Sequence, residues 1–225
     1  MFSPADAVIN LEESEIDSNY TCSYYPWVKY YDADNGVYLY LPPTRDVVKN
    51  FAYTDNTRYP WFAAAGWNRG DLDGNAIKPK RILKLAEQDE LYSGRLNFIN
   101  SFANEGMKIW GDKNMQERET QMNRISKRRL LLHIRKLCAI AAIGLIFDPN
   151  DNTTKKAFES AVSPILDNVM SNRGITDWRL EIDDSQEARD RLELPAKIFL
   201  KPTPNLEYIT IDFVITPSGV SFDDI

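Results

Sequence analysis

The sequence predicts a mixed α/β (α+β) domain in which a β-sheet is covered by two long helices, with a C-terminal strand pair and an extended C-terminal arm. Three observations support this prediction. Residues 116–146 and 153–172 have the residue patterning of long helices. Apolar and polar residues alternate along residues 206–216, as they do in a half-buried strand. Hydrophobic residues make up 43% of the 225-residue chain, which is enough for a sizeable core.

The first part of the chain predicts an arm followed by a hairpin. Residues 1–19 are acidic and poorly patterned, which favours a loose arm or the edge of something larger. Residues 24–31 and 37–41 are rich in aromatic and β-branched residues, and the turn sequence DADNG separates them as in a β-hairpin. Two prolines end the second strand, and Thr44 is placed to cap a short helix that ends near residue 53.

The middle of the chain predicts shorter elements. Residues 77–85 are a candidate strand and residues 87–96 a short helix. Residues 97–112 predict two strands around an Asn-Glu-Gly turn. Further on, Thr153 or Thr154 is the expected cap of the second long helix.

The first long helix has two contrasting halves. No acidic residue occurs from 121 to 136, whereas residues 137–147 are apolar on all sides. This contrast predicts a basic end at the surface and an apolar end in the core. The basic end is either a solvated face or a binding surface for an acidic protein partner, because a net charge of -6 disfavours general nucleic-acid binding. Its basic residues are Arg124, Lys127, Arg128, Arg129, Arg135 and Lys136.

The end of the chain predicts strands at residues 175–183, 196–201 and 206–216. Residues 217–225 have too few apolar anchors to pack by themselves. In the last strand two sets of side chains lie on opposite faces. One set is Ile209, Ile211, Phe213 and Ile215, and the other is Tyr208, Thr210, Asp212 and Val214.

No catalytic, cofactor or metal site is predicted. The single histidine, His133, lies among leucines and isoleucines without a nucleophile motif, which favours a structural role. A calcium-loop spacing is present, but Thr153 replaces its turn glycine, so a helix connector is favoured. The competing hypothesis is a metal-dependent or nucleic-acid enzyme that uses this loop or the basic helix. The loop positions are Asp148, Asn150, Asn152 and Glu159.

Cysteine usage and hydropathy predict a soluble cytoplasmic product. Two cysteines make no disulfide framework for a chain of this size. The longest apolar run, residues 137–147, is well short of the roughly 20 residues that span a bilayer. The N-terminus has neither the basic start nor the apolar run of a signal peptide.

Several segments together resemble the C-terminal region of contractile tail sheath proteins of tailed phages. The resemblance covers most of residues 17–222, and its strength lies in the order of many short matches. These are DSNY (17–20), YYPW (24–27), LPP (41–43), PW (60–61), AAG (64–66), NRG (68–70), LY (91–92), RLN (95–97), GMKIWGDK (106–113), RISKRRL (124–130), FDPND (147–151), residues 198–202 and residues 207–214.

The resemblance implies a non-enzymatic structural subunit without cofactors. Such subunits stack as hexameric rings into a helical sheath around a tail tube, and contraction drives the tube through the host envelope. The implied partners are copies of the chain, the tail tube protein, and baseplate and tail terminator proteins, with no nucleic acid or membrane. The implied location is the virion after assembly in the host cytoplasm. A bacteriocin or secretion sheath is the alternative within the same mechanism.

The resemblance also assigns regions and residues. Residues 1–19 would be an N-terminal arm or fragment edge, residues 20–216 the inner, tube-facing domain, and residues 217–225 the linking arm. Family members are normally longer, so we expect a fragment that lacks the N-terminal arm. The implied inter-subunit strand contains Leu206, Tyr208, Thr210, Asp212, Val214 and Thr216, and the donated arm contains Val220, Ser221, Phe222, Asp223, Asp224 and Ile225. The basic helix is the implied tube-facing surface.

Overall fold

The structure, a computed structural model, describes residues 3–72, 75–183, 185, 188 and 191–207. Within these residues, helices and strands are mixed along the chain, which confirms the predicted fold class. The helices are α1 (Pro4–Glu13), α2 (Thr44–Thr57), α3 (Leu85–Ser93), α4 (Ile125–Ile143) and α5 (Asn152–Ser171). The strands are β1 (Tyr24–Tyr25), β2 (Val28–Asp32), β3 (Val37–Leu41), β4 (Ala76–Pro79), β5 (Asn97–Phe102), β6 (Gly106–Trp110), β7 (Ile175–Ile182) and β8 (Ala196–Pro202).

The strands form three small sheets instead of the one covered sheet that the sequence predicts. Their orders are β1-β5-β6, β3-β2-β4 and β7-β8. β1 runs parallel to β5, and the other described pairs are antiparallel. The long helices α4 and α5 cover only the β7–β8 pair, which is the predicted C-terminal strand pair. Their shared core contains Trp61, Leu130, Ile134, Phe158, Val162, Leu166, Val169 and Ile175.

The hairpin β2–β3 is confirmed, but the strand predicted before it is interrupted. Pro26 separates β1 from β2, and the two belong to different sheets because proline cannot donate a hydrogen bond to a continuous ladder. The predicted cap of the next helix is wrong. Thr44 is the first residue of α2, the cap position is Pro43, and no side-chain bond is made there.

The N-terminal segment contains an ordered helix, so the expected loose arm is wrong for residues 4–13. Ser3 caps α1, and Asp6 completes the reciprocal capping box with Pro4 in the first turn. Leu11 is buried in a core that it shares with α3. The Ser-Pro-Ala-Asp sequence therefore starts a helix, although the residues that follow have a weak apolar pattern.

Helix α4 begins nine residues later than residue 116, the predicted start. The intervening chain is held to the end of β6, because the amide of Ile125 donates to the carbonyl of Asp112 at 2.8 Å. The next helix, α5, is capped by Asp151 and not by Thr153 or Thr154. The Asp151 carboxylate accepts from the amides of both threonines, at 2.8 and 2.9 Å.

One face of the apolar end of α4 is exposed, so the prediction that this end lies wholly in the core is wrong for that face, whereas Cys138, Ala141 and Ala142 on the other face pack against the core. Ile140 and Ile143 are 57% and 65% exposed, and Phe147 beyond the helix is fully exposed. Residues of the basic end are buried instead, including Ile125, Leu130 and Ile134. No helix in the described ranges has both the length and the apolar character needed to cross a bilayer.

Candidate functional site

The basic first half of α4 contacts the segment that follows β8. Lys127 is only 4% exposed, and its ammonium donates to the carbonyl of Thr203 and to Oδ1 of Asn205, the latter at 2.8 Å. Helix α4 therefore uses a basic residue to hold residues 203–205, immediately before the predicted inter-subunit strand.

A buried carboxylate completes this contact. Asp112 accepts hydrogen bonds from the amide of Ser126 at 3.1 Å, from the Ser126 hydroxyl at 2.5 Å and from Nδ2 of Asn205 at 2.9 Å. Nδ2 of Asn205 also lies 2.9 Å from the Ser126 hydroxyl oxygen. The end of β6, the start of α4 and the chain after β8 thus meet around one carboxylate.

A two-point ion pair lies beside this network. Nε of Arg124 donates to Oε1 of Glu207 at 2.5 Å, and NH2 donates to Oε2 at 3.0 Å. Both side chains are about one-fifth exposed. Paired bonds between guanidinium and carboxylate fix orientation as well as distance. We call Asp112, Arg124, Ser126, Lys127, Asn205 and Glu207 the anchor cluster.

Burial sets the electrostatics of the anchor cluster. Desolvation raises the pKa of Asp112 to about 6, against the opposing effect of its bonds from Ser126 and of the charges on Lys127 and Arg124. Desolvation likewise lowers the pKa of Lys127. For Arg124, burial acts to lower the pKa, but its bonds to Glu207 raise it overall. Desolvation therefore outweighs the partners at Asp112 and Lys127, whereas the bonds to Glu207 outweigh desolvation at Arg124.

The remaining basic residues of the predicted tube-facing helix divide into two groups. The guanidinium of Arg128 lies over the ring of Tyr20 at 4.2 Å, and that of Arg129 lies over Phe51 at 4.7 Å and donates to Asp55. Arg135 and Lys136 are exposed. Four of the six basic residues thus contact other parts of the same chain, and two are displayed to solvent.

The structure describes only the beginning of the predicted inter-subunit strand. Leu206 is 79% exposed, and neither Leu206 nor Glu207 is in a strand. The other predicted strand residues, Tyr208, Thr210, Asp212, Val214 and Thr216, lie outside the described residues. So do the residues of the predicted arm, Val220, Ser221, Phe222, Asp223, Asp224 and Ile225.

The alternative chemical sites have structural roles in the described chain. His133 packs edge-on against Trp61, with ring centroids 5.6 Å apart, and burial lowers its pKa. In the calcium-like loop, Nδ2 of Asn150 donates to the carbonyl of Glu193 at 3.0 Å, while Asp151 caps α5. Within the described ranges, no three His, Cys, Asp or Glu side chains are grouped as metal ligands.

Sequence reasoning missed the partners that complete the anchor cluster. Asp112, Ser126 and Asn205 are not clustered in the sequence, and Asn205 lies 93 residues from Asp112. No local motif links them. The only sequence signal was Pro202-Thr203-Pro204, since two prolines without N–H groups mark a place where strand pairing ends.

Comparisons with known proteins give one consistent result. No protein-family model matches the chain. The tail sheath protein of Vibrio phage KVP40 is 32% identical over 214 residues, which are 93% of this chain and 31% of that protein. The tail sheath protein of Enterobacteria phage T4 is 28% identical over 198 residues, 87% of this chain and 30% of that protein. The chain therefore spans about a third of the length of these relatives.

A solved structure supports the same fold. The sheath complex of the extracellular contractile injection system PVC, in its contracted state, matches with a TM-score of 0.82 and 23% identity, over 93% of this chain and 60% of that chain. This likeness concerns the fold alone. Together with the two phage relatives, it confirms the resemblance to contractile sheath proteins, and the partial coverage fits one region of a longer subunit.

Proposed function

We propose that this chain is the C-terminal region of a contractile tail sheath subunit, which polymerises around a tail tube and contracts to drive the tube through the host envelope. The observation that carries the proposal is the 32% identity to a phage tail sheath protein across 93% of the chain. As part of such a subunit, the protein would be non-enzymatic, would reside in the virion and would be assembled in the host cytoplasm.

The proposed joint between subunits is strand addition. Residues 206–216 would receive a strand, and residues 220–225 of a neighbour would donate it through main-chain hydrogen bonds. Such bonds survive large rigid-body movements because they depend on local strand geometry and not on the lattice. The exposure of Leu206, which is 79% accessible to solvent, supports this proposal because the last described residues lie at the surface.

The proposed tube contact involves fewer basic residues than the sequence predicts for the helix. Arg135 and Lys136 are exposed, whereas Arg124, Lys127, Arg128 and Arg129 are occupied by their own chain. We assign the contact with an acidic tube surface to Arg135 and Lys136. Exposed ion pairs contribute only about 0 to 1 kcal/mol each, so many copies would hold the sheath in register and release it quickly.

The proposed motor needs no nucleotide. Free energy would be stored in a metastable extended lattice of copies, and the baseplate would trigger its release, with the terminator protein closing the other end. Purified extended sheath should therefore contract in buffer without ATP after a brief chemical or thermal trigger. A strict requirement for ATP would reject this mechanism.

A sheath of a bacteriocin, secretion or injection system is the second candidate. The likeness to the PVC sheath, with a TM-score of 0.82, favours keeping it. The mechanism would be the same, and the two differ in what surrounds the gene. Neighbouring genes for a capsid and DNA packaging would indicate a phage, and their absence beside tube and baseplate genes would indicate an injection machine.

The central test is electron microscopy of the full-length parent protein with and without residues 217–225. We expect tubular polymers only when these residues are present. Intact tubes from the truncated protein would reject the arm assignment while leaving the sheath assignment in place. A matched control replaces Val220 and Phe222 with proline, which keeps the length but removes two main-chain donors, and it should behave like the truncation.

A further inference from the structure

The chain leaves β8 through a sequence that cannot continue the sheet. Pro202 and Pro204 have no N–H group, and the amide of Thr203 makes the last described ladder-like bond, to the carbonyl of Gly174 at 3.1 Å. Beyond Thr203, the hydrogen bonds recorded for residues 204–207 among the described residues come from the side chains of Asn205 and Glu207. Side chains thus replace the ladder as the means of attachment.

We infer that the anchor cluster fixes the base of the C-terminal segment to the start of α4, so that tension on this segment is borne by α4 and not by β8. The inference rests on the proposed function, because a neighbouring subunit would pull on the segment only within an assembly. It deepens that function by placing the attachment of the segment at Asn205 and Glu207, three and five residues beyond the end of β8.

The mechanical argument follows from the geometry of the β7–β8 pair. β8 is paired with β7 alone in the described chain, and a force on its C-terminal end would separate the two strands one residue pair at a time. Helix α4, in contrast, is attached through the buried side chains of Leu130 and Ile134, which must move together. An attachment at Asn205 and Glu207 therefore bypasses the weaker element.

Asn205 is the residue on which the anchor depends. Its Oδ1 accepts from Lys127 at 2.8 Å while its Nδ2 donates to Asp112 at 2.9 Å. A side-chain amide offers a donor and an acceptor fixed in one plane. An aspartate has the same shape but has no donor, and it would place a second negative charge beside Asp112. The proposed role therefore predicts that Asn205→Asp weakens the attachment, although the substitution leaves the side-chain volume nearly unchanged.

The decisive experiment is hydrogen exchange of the purified chain with Asn205→Asp. We expect the amides of residues 196–201 and of Thr203 to exchange roughly 10- to 100-fold faster, because a hydrogen bond to a charged group is lost and like charges meet. The double variant Asp112→Asn with Asn205→Asp restores one amide and one carboxylate and should recover most of the protection. Asp177→Asn is the control for the carboxylate-to-amide change in the double variant, since it makes that change at an exposed ion pair with Lys201 on the same strand pair and should leave the protection nearly unchanged.

The outcomes distinguish failure of the anchor inference from failure of the proposed function. Unchanged exchange in Asn205→Asp, or a double variant no better protected than the single one, would overturn the anchor. In the full-length protein, Asn205→Asp tubes should assemble but break during contraction, whereas the double variant should contract intact. Single-variant tubes that contract intact would overturn the tension role. If unaltered full-length protein forms no tubes, the sheath proposal fails, even where the exchange results support the attachment itself.

Discussion

The two halves of α4 differ in a way that contradicts their composition. In residues 125–134 one face of the charged half is docked, with Lys127 only 4% exposed and Arg129 paired with Asp55. In residues 137–143 the apolar half is only partly covered, because Cys138 and Ala141 pack against the core while Ile143 is 65% exposed. Basic residues are buried where specific acceptors exist, and apolar residues remain exposed where the described chain offers no cover. The comparison shows that partners decide burial as much as hydropathy does.

The largest expected effect on stability comes from replacing one buried isoleucine, and an exposed isoleucine of the other half is its control. Ile134→Ala should lower the free energy of unfolding by about 2 to 5 kcal/mol, because Ile134 is 2% exposed in the core that α4 shares with α5. Ile140→Ala should change it by less than about 0.5 kcal/mol, because Ile140 is 57% exposed. Urea unfolding of both variants measures the difference. Equal losses at the two positions would show that the apolar half is packed after all.

A pH experiment tests whether burial of the charged half has an energetic cost. The pKa of Asp112 is raised to about 6 in the folded chain from an ordinary 3.8. The folded state therefore holds this proton more tightly than the unfolded state does. Relative to Asp112→Asn, the wild type should lose up to about 3 kcal/mol of stability as the pH rises from about 4 to about 7, with little change above that.

The comparison with Asp112→Asn cancels the contributions of other acids, and the charged groups facing Asp112 in both proteins are the same. They are Arg124, Lys127 and Arg69. The other titratable groups that interact with Asp112 are Cys22, Tyr24 and Tyr92, whose raised pKa values keep them neutral over this range. Urea denaturation at several pH values gives the difference. A wild type that gains stability relative to the variant over this range would show that Ser126, Asn205 and Lys127 overcompensate the desolvation.

Two lysines of α4, each replaced separately, give the next smaller effect on stability. Lys127→Met should cost about 2 kcal/mol, because the carbonyl of Thr203 and Oδ1 of Asn205 lose a charged donor. Lys136→Met should fall within about 0.5 kcal/mol, because Lys136 is exposed. Thermal unfolding monitored by circular dichroism compares the two. Similar melting temperatures would mean that the buried lysine contributes no more than the displayed one.

Local patterning predicted most elements of the fold but not the arrangement of α4. The β2–β3 hairpin, β5–β6 and the β7–β8 pair follow from alternation and turn residues, which act over a few positions. The burial of Lys127 depends on Asn205, and that of Ser126 on Asp112, so both depend on tertiary contacts that no periodicity records. The exposed face of the apolar half contradicts the predicted core position for a related reason. Hydropathy indicates that a segment favours burial, but it does not identify the residues that would bury it.

Substitutions in the exposed apolar residues should have the smallest effect on stability. They should, however, change self-association. Ile143→Ser combined with Phe147→Ser should leave the unfolding midpoint nearly unchanged, because the two side chains are 65% and 101% exposed. It should, however, weaken concentration-dependent self-association in sedimentation velocity, because exposed apolar surface favours contact between molecules. Leu11→Ser is the opposite control, since Leu11 is buried and its loss should destabilise the fold. If the double variant instead associates as strongly as the wild type, the exposed apolar face makes no contact between molecules, and its contrast with the docked half is one of exposure alone.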